Sequence, residues 1–218
     1  MTRFTVEPAA TTYPGPVPYE PRHHVRIVTA TSLFDGHDAA INIMRRILQA
    51  TGAEIIHLGH DRSAADIAIA AVEEDAQAVA ITSYQGGHME FFTYVRRLLD
   101  DAGAGHVKIF GGGGGTILPE ETAELQRSGI ERIYTPDDGR ELGLQGMIDD
   151  LLERSDFPVV DGRPFEPSAL STATPGLLGR MISAVEQGVG DDLAASAKAA
   201  AEGRSVPVVG MTGTGGAG

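Results

Sequence analysis

From Val25 onward, the chain alternates short apolar runs with longer segments in which apolar residues recur at helical spacing. The run 25–30 (VRIVTA) is rich in β-branched residues, which is typical of a buried strand. In the next segment, 38–51, apolar side chains recur every three or four residues, and Gly52 marks the end of a helix. The whole pattern predicts five strands, at 25–30, 53–58, 78–83, 106–110 and 130–135, and five helices, at 38–51, 63–75, 88–102, 119–129 and 138–153.

Strict alternation of strands and helices predicts a parallel sheet with helices on both faces, because each crossover between parallel strands needs a helix. Five such units fit an α/β fold of the flavodoxin-like (Rossmann-type) doubly wound class, with a five-stranded sheet in the order 2-1-3-4-5. Local signals support the helix positions. Ser63 and Asp66 have the spacing of a capping box, and Pro119 suits the first turn of a helix.

Changes in composition and hydrophobic periodicity divide the chain into four parts. The first part is rich in Pro and Thr, has no hydrophobic periodicity and is interpreted as a flexible lead-in. After the five units comes a linker with two predicted helices, 177–187 and 191–201, and then an apolar strand at 206–213. The predicted boundaries are 1–24 for the lead-in, 25–155 for the strand–helix domain, 156–204 for the helical linker and 205–218 for the start of a further domain.

Composition narrows the possible functions. The 218 residues have a formal net charge of −13, from 17 Lys and Arg against 30 Asp and Glu, which argues against nucleic-acid or membrane-surface binding. The absence of cysteine excludes disulfides, thiolate nucleophiles and Cys-ligated metals, and it suits a reducing cytoplasm. No apolar run is long enough to span a bilayer, and the first residues lack the pattern of a signal peptide.

Ligands of an open parallel sheet bind beyond the carboxyl ends of the strands, where strand order reverses, which is between the first and third strands here. The loops predicted at this edge are 33–38, 83–88, 111–116 and 134–139. In the first loop, His37 follows Asp35 by two residues, so a ring N–H can bond to the carboxylate and leave the other nitrogen as a metal ligand. The alternative is a helix start with Asp38 as the cap and His37 merely exposed to solvent.

Two other loops carry weaker signals. A receiver domain of the same fold would place Asp at the end of the third strand, where this chain has Ser83, and Lys after the fifth strand, where it has Thr135. The phosphate loop of a flavodoxin is matched only weakly by 30–34. The five glycines of 111–115 favour close approach of a ligand to the backbone, the alternative being a flexible turn.

The remaining histidines of the domain suggest less. His57 and His60 are separated by two residues, and with His88 they raise the possibility of a zinc site. His57 falls on a predicted strand, however, which favours a structural role. Acid–base roles for His60 and His88 at the mouth of the crevice have no further support in the sequence.

Taken together, the loops resemble a cobalamin-binding domain of the base-off, His-on type. That family has D-x-H-x-x-G after the first strand, S-x-L after the third and a double glycine after the fourth. Asp35, His37 and Ser83 match the first two motifs, and Gly114-Gly115 fits the third best. This chain departs from the pattern at two positions, Ala40 and Gln85.

The resemblance implies that His37 ligates cobalt, that Asp35 orients and polarises His37, and that the cofactor's displaced nucleotide tail enters the crevice. Ser83 would line the wall of that crevice, with bare backbone at the double glycine. The cofactor-binding residues implied in this way are Asp35, Gly36, His37, Asp38, Ser83, Tyr84, Gln85, Gly86, Gly114, Gly115 and Thr135, with His37 as the one metal ligand.

The last residues carry a second motif. The segment 213–218 (GTGGAG) has the spacing of the first part of a phosphate-binding loop, up to the residue before its Lys. Gly213, Gly215, Gly216 and Gly218 are therefore candidate nucleotide-binding residues of a truncated GTPase domain, with GTP and magnesium bound downstream. The alternative is a disordered glycine-rich tail.

A cobalamin domain, a helical linker and a P-loop in this order resemble the fused isobutyryl-CoA mutases, as do the stretches 32–48 and 83–92. The resemblance implies an adenosylcobalamin-dependent isomerase that interconverts isobutyryl-CoA and n-butyryl-CoA. Acyl-CoA would bind to an absent mutase module, a G-protein chaperone domain would belong to the same chain, and the parent would be a homodimer. This fragment alone would not be catalytic. The alternatives are a corrinoid carrier for methyl transfer, a cobalamin-sensing regulatory module and a non-binding scaffold.

Overall fold

The structure is a computed structural model that describes residues 17–160, 173–203, 205, 207, 209 and 210. Its strands are β1 (Arg26–Ser32), β2 (Glu54–Arg62), β3 (Ala78–Thr82), β4 (Lys108–Gly112) and β5 (Arg132–Tyr134). Its helices are α1 (Ala39–Ala50), α2 (Ala64–Glu73), α3 (His88–Asp101), α4 (Pro119–Arg127), α5 (Pro136–Ser155), α6 (Pro175–Glu186) and α7 (Asp191–Ala201), with a 3-10 turn at Gly114–Thr116.

All five strands pair in parallel in the order β2-β1-β3-β4-β5, which confirms the predicted doubly wound sheet. One core lies between the sheet and α2, α3 and α4, and contains Ile67, Phe92 and Leu125. The other lies between the sheet and the pair α1 and α5, and contains Leu48 and Ile148. Strand order reverses beside β1, so the loops after β1 and β3 reach the same edge of the sheet.

The local signals in the sequence act where they were expected. Ser63 accepts a hydrogen bond from the Asp66 amide at 3.1 Å, and the Asp66 side chain bonds back to Ser63, as in a capping box. Gly52 ends α1 in a left-handed conformation, with φ of 106°. Two elements differ from the prediction. Strand β2 extends to Arg62 through irregular pairing with β1, and α5 is kinked at Gly143, where φ is 66°.

Two segments outside the five strand–helix units pack against the domain. In the lead-in, which was interpreted as flexible, the Tyr19 hydroxyl donates a 2.7 Å hydrogen bond to Asp156, so residues 17–24 contact the domain. In the linker, α6 packs closely on α2, since a Cβ on Gly179 would meet the Glu73 carbonyl at 2.5 Å. Contacts between residues so distant in sequence leave no periodic signal, which is why the sequence did not indicate them.

The end of the chain is described only in part. The strand predicted at 206–213 falls mainly outside the described residues, and Pro207, Val209 and Gly210, which are described, are not in a strand. The candidate nucleotide-binding residues Gly213, Gly215, Gly216 and Gly218 also lie outside the described part. Among the helices that the structure describes, none combines the length and the apolar character needed to cross a membrane.

Candidate functional site

The loop after β1 holds a buried carboxylate beneath an exposed imidazole. The Asp35 side chain is 1 % exposed and the His37 side chain 77 %. Asp35 Oδ1 accepts a 2.9 Å hydrogen bond from the His37 amide and lies 2.7 Å from His37 Nδ1. Asp35 Oδ2 accepts a hydrogen bond from the Tyr84 amide in the loop after β3. The carboxylate therefore joins the two loops at the point where strand order reverses.

The charge on Asp35 determines which nitrogen of His37 is available. Burial acts against ionisation, but the hydrogen bonds from the Tyr84 and His37 amides and from the imidazole outweigh it and lower the pKa of Asp35. An ionised carboxylate can only accept, so Nδ1 carries the proton in this contact. The neutral ring then presents the lone pair of Nε2 toward solvent, which is the form that a metal ion needs.

Asp38 does not act as the helix cap that the alternative interpretation required. It occupies the N-cap position of α1, but its side chain makes no capping hydrogen bond. Asp38 Oδ2 instead accepts from Asn42 Nδ2 at 3.1 Å. Gly36, between Asp35 and His37, is exposed, and a Cβ there would meet nothing within 4 Å. The arrangement of this loop thus comes from Asp35, not from a helix cap.

Phe34 is a feature of this loop that the sequence did not reveal. Its side chain is 86 % exposed, and its backbone is left-handed with φ of 63°. The Phe34 amide donates a 2.7 Å hydrogen bond to Asp61 Oδ1, and the Asp61 amide bonds to the Asp35 carbonyl at 3.2 Å. Asp61 is also left-handed, with φ of 57°. Two strained residues that fix each other beside an exposed histidine are typical of a functional site.

A cavity of about 400 Å³ opens beside this loop, between α1, α5 and the ends of β3, β4 and β5. Its volume lies within the usual range for small-molecule sites. The walls are almost wholly apolar, and polar character comes mainly from Thr82, Tyr84 and Thr135 near the strand ends. The aliphatic lining residues are Ala40, Ile41, Ile43, Met44 and Leu48 of α1, Ala80 and Ile81 of β3, and Leu144, Met147, Ile148 and Leu151 of α5.

The position of this cavity differs from two expectations for the crevice. The crevice was expected between the first and third strands, but none of the residues that line the cavity belongs to β1. Ser83 was expected in its wall, yet Thr82 and Tyr84 form the wall on either side of it. Ser83 is not among the lining residues; it is fully buried and accepts a 2.9 Å hydrogen bond from Ser32 Oγ.

The five glycines 111–115, of which Gly111 and Gly112 belong to β4, have different surroundings. A Cβ on Gly111 would overlap the side chains of Phe92 and Ile133, and one on Gly113 would overlap the Ser83 carbonyl. These two glycines are required by the packing of the protein itself. Gly111, Gly112, Gly113 and Gly114 all line the cavity, and Gly114 is left-handed with φ of 58°. Gly115 faces open space. The sequence singled out Gly114 and Gly115 and missed Gly112.

The other predicted contacts surround the same edge. Thr135 lines the cavity and caps α5, since its hydroxyl accepts from the Asp138 amide at 3.3 Å. Tyr84 is half-buried, and its ring lies 5.6 Å from the His37 ring, centroid to centroid. Gln85 folds onto its own loop, where Oε1 accepts from the Gly87 amide. Gly86 is exposed and does not line the cavity.

The remaining histidines lie apart from each other. His57 Nδ1 is 2.9 Å from Thr29 Oγ1, within the sheet, and His60 is exposed on β2. His88 is buried, and its Nε2 lies 2.9 Å from Glu121 Oε2, which connects α3 to α4. No group of three or more His, Asp or Glu residues that could hold a metal ion by itself occurs within the described ranges. A metal bound at His37 must therefore bring its other ligands with it.

Residues 25–142 match the sequence profile of the B12 binding domain. The chain belongs to this family. The match covers all five strands together with the loops that carry Asp35, His37, Tyr84 and the glycine run, and it confirms the resemblance seen in the motifs.

Curated relatives extend the similarity beyond the B12-binding domain. The chain is 55 % identical over 208 residues to the fused isobutyryl-CoA mutase of Geobacillus kaustophilus and 52 % identical over 202 residues to that of Cupriavidus metallidurans. These alignments cover 92 % and 91 % of this chain but only 19 % and 18 % of the relatives. The pivalyl-CoA mutase small subunit of Xanthobacter autotrophicus is 30 % identical over 118 residues, which is 54 % of this chain and 77 % of that one.

A solved structure shows the same fold. The crystal structure of a cobalamin-binding protein from Desulfitobacterium hafniense superposes with a TM-score of 0.50 and 21 % sequence identity, over 60 % of this chain and 59 % of that one. The B12-binding domain described here therefore shares its architecture with a protein whose sequence has diverged widely.

Proposed function

We propose that this chain binds adenosylcobalamin in the base-off form, with His37 as the lower ligand of cobalt, and forms the cofactor-binding part of a fused acyl-CoA mutase. One observation supports the ligand assignment above the others. His37 is the exposed end of a hydrogen-bonded pair whose buried member, Asp35, is ionised and fixes the ring. A carboxylate that bonds to the far nitrogen raises the basicity of the ligating nitrogen and sets its direction.

The residues at the edge of the sheet fit such a cofactor. Imidazole is a suitable ligand for cobalt, and the corrin ring would supply the ligands that the protein lacks. The cavity beside His37 is apolar and has about 400 Å³ of space for a flat aromatic base and its sugar. Gly112 and Gly114 expose bare backbone along one wall, so a nucleotide tail can approach closely there.

When bound, adenosylcobalamin supplies the carbon-centred radical for rearrangement of the carbon skeleton, by homolysis of its cobalt–carbon bond. Asp35 holds the proton on His37 Nδ1, and Tyr84 holds Asp35 in place through its amide. The side chains of α1 and α5 exclude water from the cavity that receives the tail. The domain therefore contributes binding and orientation, while acyl-CoA binds to a separate mutase module.

The similarity over 92 % of the chain supports the mutase in preference to a corrinoid carrier or a cobalamin sensor. We propose the interconversion of isobutyryl-CoA and n-butyryl-CoA as the reaction of the parent, which we place in the cytoplasm as a homodimer. A G-protein chaperone domain with GTP and magnesium would begin within 205–218, and 213–218 has the first glycines of a phosphate loop. Nucleotide binding by the longer protein, lost in Gly218→Val, tests that part.

A visible-light titration tests the binding mode. Adenosylcobalamin added to the protein is expected to give the spectrum of a base-off, imidazole-ligated cobalamin. His37→Ala should abolish the imidazole-ligated spectrum. His60→Ala is the matched control, since His60 is an exposed histidine on the neighbouring strand β2, and its spectrum should equal that of the wild type. If the wild-type protein leaves the cobalamin spectrum unchanged, the proposed function is wrong. An unaltered axial spectrum in His37→Ala would refute the ligand assignment alone.

A further inference from the structure

Residues 17–24, which we call the N-terminal strap, run across the ends of α1 and α5. These are the two helices that wall the apolar cavity. The strap has no regular secondary structure. Its contacts with the domain are nevertheless numerous and join residues more than 125 positions apart in sequence. Since ordering a segment of this length has a large entropic cost, these contacts require an explanation.

Asp156, immediately after α5, is the main anchor of the strap. Its carboxylate is fully buried and accepts hydrogen bonds from the Tyr19 hydroxyl at 2.7 Å, the Arg22 amide at 2.7 Å and the His23 amide at 2.9 Å. His23 Nδ1 lies 2.7 Å from the same carboxylate. Hydrogen bonds to a charged acceptor are among the stronger ones in proteins. The strap is thus fixed at one point of the domain.

A second set of contacts connects the strap with both helices. The Tyr19 amide donates a 3.0 Å hydrogen bond to Asp149 Oδ1 of α5. Gln145 Nε2 donates to that same oxygen at 2.9 Å and to Thr51 Oγ1, at the end of α1, at 3.2 Å. Next to Thr51, a Cβ on Gly52 would lie 3.6 Å from Pro21 Cδ, so Pro21 packs beside the end of α1. The strap and Gln145 together tie the end of α1 to α5.

The anchored part of α5 is also the part that lines the cavity. Ile148 and Leu151 line the cavity and belong to the core cluster that includes Tyr19 at its border. The opposite wall contains Leu48, in the last turn of α1, three residues before Thr51. Only one or two residues therefore separate the strap from each of the two helices, α1 and α5, that form the walls of the cavity. A change in the strap should affect both helices.

We propose that the N-terminal strap holds α1 and α5 at the separation that receives the nucleotide tail of cobalamin, with Tyr19 and Asp156 as positioning residues for the cofactor. This inference rests on the proposed function. The physical reason is preorganisation. Contacts that fix the separation of the two helices keep the apolar cavity open between them. Because the helices are already in place, the entropic cost of binding is smaller.

Cofactors with and without the tail provide the test. Dissociation constants for adenosylcobalamin and for adenosylcobinamide, which lacks the nucleotide tail, are measured by the same spectral titration on the full chain. Tyr19→Ala removes the ring and the hydroxyl and is expected to weaken adenosylcobalamin binding by about tenfold, and Asp156→Asn by about threefold to fivefold. Adenosylcobinamide binding should stay within about twofold of the wild type in both variants.

Glu153→Gln is the matched control, because Glu153 is exposed in the last turn of α5 and should affect neither ligand. Tyr19→Phe keeps the ring and removes only the hydroxyl, so it provides a variant that disturbs the core least. Equal losses for both ligands would indicate general destabilisation and overturn the inference. Unchanged affinity for adenosylcobalamin in Tyr19→Ala and Asp156→Asn would overturn it as well.

Hydrogen exchange of the cofactor-free protein separates this inference from the proposed function. In Tyr19→Phe and Tyr19→Ala, amides of 144–155 and 48–52 should exchange faster than in the wild type, while those of α3 should not change. Unchanged exchange in α1 and α5 would refute the positioning role even if cobalamin binds. If the wild-type protein binds neither ligand, the proposed function fails and the inference about the tail fails with it.

Discussion

The molecule contains two copies of the same local arrangement with different surroundings. In each, a buried aspartate accepts two backbone amides and lies 2.7 Å from a histidine Nδ1. One pair is Asp35 with His37, and the other is Asp156 with His23. In the first pair the histidine is 77 % exposed and stands beside an apolar cavity. In the second it is 40 % exposed, and the aspartate also accepts from Tyr19.

The comparison shows that an Asp–His hydrogen bond does not by itself identify a metal ligand. In both pairs the carboxylate fixes a ring, but only at His37 does the rest of the site provide room for a large ligand. The backbone differs too. Phe34 and Asp61, next to His37, are left-handed, whereas none of the described residues 17–24 is. Left-handed residues thus lie next to the exposed histidine of the first pair and are absent from the described residues of the strap.

The largest expected effect comes from removing one carboxylate charge in each pair. Asp35→Asn should weaken adenosylcobalamin binding by about 10- to 100-fold, because an amide orients and polarises His37 less well. Its melting temperature should change less than that of Asp156→Asn, whose carboxylate holds the strap in place. Spectral titration and thermal melting of both variants measure the contrast. If Asp156→Asn lost as much axial ligation as Asp35→Asn, the two pairs would not differ in function as argued.

The two Asp–His pairs were not equally predictable from the sequence, because their members are separated by very different numbers of residues. Asp35 and His37 are two residues apart, so the motif and its place after a strand were readable. Asp156 and His23 are 133 residues apart, and no periodicity or spacing connects them. The doubly wound sheet and its order were predictable for the same reason, because alternation of strands and helices is a local pattern with few topological solutions.

The details of the cavity were less predictable. The sequence predicted that Ser83 lines the wall of the cavity. The direction of a side chain at the end of a strand depends, however, on how that strand packs against its neighbours, which the sequence does not show. The same holds for the glycine run, where Gly111 and Gly113 accommodate Phe92 and Ser83. Such contacts join separate elements, so the sequence singled out Gly114 and Gly115 but could not show which glycines of the run line the cavity.

Acid provides a second way to separate the pairs. Burial disfavours the charged form of Asp156, but hydrogen bonds from Arg22, Tyr19 and His23 outweigh it and hold the pKa at about 2. A carboxyl with a lowered pKa stabilises the fold above its unfolded pKa of about 3.9, and this stability is lost as the pH falls toward 2. The contribution of Asp156 to the free energy of unfolding should decrease by about 2 kcal/mol over that range.

Denaturant unfolding at a series of pH values measures this effect, with Asp156→Asn as the comparison. The difference in stability between the wild type and Asp156→Asn should shrink as the pH falls from about 5 to 2, since the variant has no charge to lose there. Glu153→Gln is again the control and should follow the wild type. A difference that stays constant over the whole range would show that ionised Asp156 does not hold the strap.

The cavity beside His37 also distinguishes the two Asp–His pairs. A substitution at Gly112 that fills part of the cavity tests its role. Gly112 lies on the same face of β4 as Phe110, which also lines the cavity, so a side chain there projects into the space for the tail. Gly112→Val should weaken adenosylcobalamin binding by about tenfold while leaving adenosylcobinamide within about twofold. Valine is well tolerated in strands, so the fold should persist. Glu153→Gln, at an exposed position that does not line the cavity, is the control and should bind both normally.

The smallest expected effect concerns the strain beside His37. At Phe34, φ is 63° and the ring is 86 % exposed, so Phe34→Gly relieves the backbone without removing a buried contact. The variant should be more stable to unfolding by about 1 kcal/mol, measured by denaturant titration. Glycine in the relaxed strap should have the opposite effect, and Glu20→Gly is the matched substitution. If Phe34→Gly were destabilising, the left-handed backbone at Phe34 would not be strained. The two Asp–His pairs would then differ only in the cavity beside one of them.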